Sequence, residues 1–78
     1  MVDRLKGRRF VICINNEGYP ASLELWKVYQ VIPDAKYESH QELRVIDEEG
    51  EDYLYPAHYF SPVQLEKAVA EKIISQSL

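Results

Sequence analysis

Leu54-Tyr55-Pro56-Ala57-His58-Tyr59-Phe60 reads as a strand end, a proline stop and a short aromatic run. Upstream, Glu51 to Tyr55 alternates as a return strand, with Tyr53 and Tyr55 on one face and Leu54 on the other. Glu48-Glu49-Gly50 before it is a hairpin connection whose glycine can take a left-handed conformation. Glu42 to Asp47 is the outgoing strand, with Leu43 and Val45 inward. Downstream, Ser61 predicts an N-cap, Pro62 the first helical position and Gln64 a capping box. Phe60 and Leu65 fall at the two positions of a hydrophobic staple. Leu65, Val69 and Ile73, with Ala68 beside them, form an apolar stripe, so a helix is expected over 61–76.

Further upstream the pattern is looser. Asp34 to Gln41 is polar and aperiodic and reads as a loop. Residues 23–32 alternate without a clean apolar face, but the β-branched and aromatic content from Lys27 to Ile32 favours a strand that Pro33-Asp34 ends. Asn15 to Pro20 is turn chemistry. Residues 8–14 are a strand with Phe10, Ile12 and Ile14 on one face and Val11 and Cys13 on the other. Two apolar faces predict a central or sandwiched strand. About five short antiparallel strands followed by a helix predict a mainly β chain: a small barrel over 8–60, lidded by a C-terminal α-helix over 61–76, in one domain of residues 1–78, with an antiparallel sheet covered by one helix as the alternative.

The run from Leu54 to Phe60 resembles the closing segment of SH3 domains, with His58 in the place of an asparagine. Residues 10–61 are similar in layout to that fold, and the chain resembles small bacterial SH3-like proteins of uncharacterised function. The resemblance implies an SH3-like barrel, and it implies that Pro56 and Tyr59 help line a peptide groove. The family's early Ala-Leu-Tyr-Asp-Tyr motif is absent, and no tryptophan stands near Gln41 where the groove tryptophan belongs.

At 78 residues and net charge −4, the chain suits one small domain with one small core. The first nine residues carry +3 and the rest −7, with five carboxylates between Asp47 and Asp52. That acidic tip splays outward from a hairpin and lacks calcium-loop spacing, so no metal is expected. A lone cysteine excludes an internal disulfide and a multi-cysteine zinc site, and it fits a cytoplasmic setting. The longest apolar run is Phe10 to Ile14, so neither a membrane helix nor a secretory leader is expected, and the initial Met suggests a complete small protein.

Six of the nine aromatics are tyrosine. They either pack the barrel or form a recognition patch, since Tyr and Trp bring rigid amphipathic area at low entropic cost. Tyr19, Trp26, Tyr55, Pro56 and Tyr59 are the candidate contacts for a protein or peptide partner. The second reading is a nucleic-acid-associated barrel using Arg4, Lys6, Arg8 and Arg9, although the aromatics lie in the acidic part of the chain. Cys13, mid-strand, reads as an inert thiol, and no acid, base and nucleophile assemble, so an enzyme is not expected and no cofactor is implied. The expected state is a monomer or a weak homodimer, with Ile74 and Leu78 off the helix stripe as a possible second contact.

Overall fold

The central strand is β1, Arg9–Cys13, which pairs antiparallel with β2, Val28–Ile32, on one side and with β5, Phe60–Val63, on the other. A computed structural model describes residues 9–76. Strand β3, Glu42–Ile46, continues from β2, and β4, Asp52–Pro56, continues from β3, so the sheet order is β4-β3-β2-β1-β5. Five antiparallel strands and a C-terminal helix make the chain mainly β, as its alternation predicts. The two apolar faces of β1 are both covered. Val11 and Cys13 join Leu23, Tyr29, Val31, Val45, Tyr55 and Phe60 in the main core, which every strand supplies. Phe10 faces the other way, onto the helix.

The sheet does not close into the expected barrel. The backbone explains why. Ile14 N–H donates to the Tyr59 carbonyl at 2.8 Å, so by alternation Ser61 and Val63 hydrogen-bond β1, while Phe60 and Pro62 direct their backbones outward. The Phe60 N–H is taken by the Ala57 carbonyl of a single 3-10 turn, Ala57–Tyr59, and Pro62 has no N–H. The outer side of β5 therefore offers no strand donor, and closure by a hydrogen-bonded ladder is blocked.

The same register corrects the expected helix start. Ser61-Pro62-Val63 is strand, not helix cap. Proline is tolerated there because Pro62 sits on an edge strand at a position whose N–H the ladder does not need. The C-terminal helix α2 runs Lys67–Gln76, so Leu65 lies before it. Its buried side is Ala70 and Ile74, packed on Phe10 with Val28, Val63, Leu65 and Ile73, whereas Val69 is 46% exposed. The expected stripe of Leu65, Val69 and Ile73 is thus rotated: the small Ala70 lets the helix approach Phe10, and Ile74 follows four residues on. We expect Ile74→Ala to cost about 2 kcal/mol or more in denaturant unfolding, and Val69→Ala to fall within about 0.5 kcal/mol of wild type. The reverse order would restore the predicted stripe.

Two further elements differ from expectation. The loop after β2 contains a single helical turn, α1, Ala35–Glu38. Residues 23–27 are not strand: Leu23 is fully buried in a loop and β2 starts only at Val28. The β3–β4 hairpin forms as read, with Gly50 at φ +77° and its N–H donating to the Asp47 carbonyl. No described helix is long and apolar enough to cross a membrane.

Candidate functional site

The segment between β1 and β2 folds back on the sheet and places most of the candidate residues. Asn16 and Tyr19 close a turn, and the Asn16 side-chain amide reaches across the loop to the Leu23 carbonyl at 2.9 Å. Tyr19 lies edge-on to Tyr55 at 4.9 Å between ring centroids and to Tyr59 at 6.2 Å. The Tyr59 hydroxyl donates to the Glu17 carbonyl at 2.8 Å, tying the 3-10 turn to this loop. Tyr19 and Tyr59, forty residues apart in the chain, are thereby brought together at one end of the sheet.

Trp26 joins them through a single peptide unit. The Cys13 carbonyl accepts the Trp26 N–H at 2.7 Å, and the Ile14 N–H of the same peptide donates to the Tyr59 carbonyl. Trp26 and Tyr59 therefore flank the end of β1 on opposite sides, about two strand spacings or ~10 Å apart along the backbone. The Cys13 N–H also donates to the Lys27 carbonyl, so Trp26 and Lys27 together oppose one residue of β1. This is the bonding of a G1 bulge, and the residue in its left-handed position is ordinarily glycine. Here it is Trp26, at φ +68° and 68% exposed. Trp26 also stands third in the Glu24–Lys27 turn, where a positive φ again favours glycine. Exposed Leu25 precedes it in the chain, and exposed Ile14 follows Cys13, whose carbonyl Trp26 bonds.

Tyr55 takes a different part from the one expected. It is 1% exposed, with its hydroxyl donating to Asp47 at 2.7 Å and its ring against Tyr19, Tyr53 and Phe60. It supports the surface from beneath and presents no contact area. Pro56 is half-buried at the end of β4, opposite Glu42 of β3, and precedes the 3-10 turn. His58 stacks edge-on against Tyr59 at 4.9 Å.

Beneath the Trp26 turn runs a polar network that no sequence pattern announces. The Tyr29 hydroxyl accepts the Glu24 N–H at 2.7 Å and donates to Glu48 at 2.6 Å, and Lys27 pairs with the same carboxylate. The Lys27 ammonium, then the Tyr29 hydroxyl, hold Glu48 below its ordinary range. Burial, then the Glu48 carboxylate, pushes the Tyr29 phenol well up. Burial and the Asp47 hydrogen bond push Tyr55 up to about 12 from 10.0. On the outer face Arg44 binds Asp34 and Asp52 and lies over the Tyr37 ring, and its hydrogen bonds hold Asp34 low. Raised phenols contribute stability below their unfolded value that is lost as pH climbs past 10 toward 12, and lowered carboxylates contribute stability lost as pH falls below about 4. Thermal unfolding across pH is expected to give a plateau with an alkaline fall that Tyr55→Phe diminishes.

Of the basic set proposed for nucleic acid, Arg9 is paired with Glu38 at 2.6 Å, while Arg4, Lys6 and Arg8 lie outside the described residues, as does Leu78. Burial raises the Cys13 thiol, which donates to the Asn15 carbonyl. Among the described residues no three His, Cys, Asp or Glu side chains gather as a metal-binding group. No protein-family model, curated protein or solved structure matches this chain.

Proposed function

We propose that the chain is a non-catalytic, cytoplasmic protein- or peptide-binding module on an SH3-like arrangement of strands, contacting its partner through Trp26, Tyr19, Pro56 and Tyr59. The strand order and the closing run from Leu54 to Phe60 support the SH3-like reading. One observation carries the binding reading. A tryptophan, two-thirds exposed, occupies a backbone position suited to glycine. A left-handed conformation costs a bulky residue about 1–2 kcal/mol, and Trp26 gains little burial in return. Such strain clusters at functional positions, and tryptophan is among the residue types enriched as anchors in protein interfaces. Tyr19 and Tyr59, half-buried on the main core and edge-on to each other, add aromatic area at the same end of the sheet.

The test is capture of interacting proteins from the source cell's lysate by wild type and by folded Trp26→Gly. Proteins retained by the wild type and lost with the variant support the reading. Identical sets from both remove Trp26 from it.

A further inference from the structure

We propose that β4 pairs edge to edge with β4 of a second copy of the chain, antiparallel and centred on Tyr53. This goes beyond the binding reading and rests on different residues. An open sheet has two edges, each a template for another strand unless it is blunted. The β5 edge is blunted by Pro62 and by the commitment of the Phe60 N–H to Ala57. The β4 edge is not. Asp47 N–H donates to the Glu51 carbonyl and Ala57 N–H to the Gln41 carbonyl, so alternation turns the backbones of Tyr53 and Tyr55 toward β3. The N–H and C=O groups of Asp52 and Leu54 then point away from the sheet, and no described residue pairs with that side.

The side chains along this edge suit a copy of itself as occupant. In an antiparallel pair centred on Tyr53, Asp52 faces Leu54 of the second copy and Leu54 faces its Asp52. All four outward groups on each strand are then used, in four hydrogen bonds. No like charges stand directly opposite, and each Asp52 is already held by Arg44 at 2.9 Å. Tyr53, 59% exposed on its own chain, meets the second Tyr53 at a non-hydrogen-bonded position, where cross-strand side chains approach most closely. The interface is short. A pair of five-residue strands is small beside the ~1,200–2,000 Å² of a stable interface, so the dimer forms at high protein concentration and dissociates on dilution.

The test combines sedimentation of the full chain from micromolar to millimolar concentration with amide exchange read residue by residue. The expected result is a rise toward twice the chain mass, with the Asp52 and Leu54 amides slowed by about tenfold or more as the dimer fills. The Tyr53 and Tyr55 amides, bonded to β3, should stay protected throughout. Tyr53→Lys sets two ammonium groups opposite each other, and Leu54→Pro deletes an outward N–H that the chain's own sheet does not use. Both should keep the circular dichroism of the fold and remain monomeric, and Trp26→Gly should still dimerise. A wild type that stays monomeric at millimolar concentration overturns the proposal. So does a dimer that survives both β4 substitutions, or one in which the Leu54 amide gains no protection. Protection of Leu54 that appears only on adding an extended peptide of another protein overturns the second copy as the occupant.

Discussion

Tyr55→Ala is expected to cost about 3–5 kcal/mol, a large share of the ~4–12 kcal/mol available to a chain of this length. Tyr55 is the largest fully buried side chain among the described residues. Its ring meets Tyr19 at 4.9 Å, Tyr53 at 5.5 Å and Phe60 at 6.3 Å, so its loss opens a cavity at the junction of β4, β5 and the loop after β1. The change also removes the donor to Asp47 at the hairpin end. Tyr55→Phe separates the two contributions. It keeps the ring and loses the hydrogen bond, and it should cost about 1–2 kcal/mol. Urea unfolding of both variants checks the division. A Tyr55→Ala protein as stable as wild type would show that the tyrosine cluster does not support the sheet. Because Tyr55 is structural, a binding defect in Tyr55→Ala carries no information about contact.

Trp26→Gly is expected to abolish partner capture while leaving the fold equally stable or up to about 1 kcal/mol more stable. Relief of the left-handed strain at φ +68° gains about 1–2 kcal/mol. The greater freedom of glycine in the unfolded chain gives back about 0.5–1 kcal/mol. Little packing is lost from a side chain that is 68% exposed. The Trp26 N–H bond to Cys13 is a backbone bond and remains. Most substitutions that impair binding also destabilise, which confuses their interpretation. Here the two effects have opposite signs, so unfolding cannot mimic the loss of binding. Trp26→Ala is the companion: it keeps the strain, removes the ring, and should be less stable than the glycine variant while binding equally poorly.

Local pattern made part of this structure legible. Strand β1 is legible from a continuous apolar, β-branched run, and the hairpin from Glu42 to Tyr55 from alternation and a glycine at the turn, and those signals depend only on near neighbours. The segment Ser61-Pro62-Val63-Gln64 satisfies the grammar of a helix start and of an edge strand equally well. What separates them is the pairing of Pro62 opposite Val11, about fifty residues away in the chain, and no local pattern reports it. The same holds at the candidate surface. Tyr19, Pro56 and Tyr59 could be nominated by residue type and by the closing run. That Tyr55 is buried depends on the loop after β1, which lays the Tyr19 ring edge-on against it. The left-handed bulge at Trp26 depends on Cys13, and alternation from Leu23 to Ile32 hides it behind an apparent strand. Exposed Tyr53 shares a strand face with buried Tyr55. The rings of Tyr19 and Phe60 pack on Tyr55, and that packing tells the two apart.

Trp26 is the chain's single tryptophan, so its fluorescence reports the central contact without a label. The free protein should emit as a solvent-exposed indole, readily quenched by acrylamide, because the side chain is 68% exposed. Addition of a partner recovered by capture, chosen for lacking tryptophan, should shift the emission to the blue and suppress quenching, saturating with the binding curve. Saturable binding with unchanged emission and quenching would place the partner elsewhere on the molecule and contradict the assignment of Trp26 as its anchor.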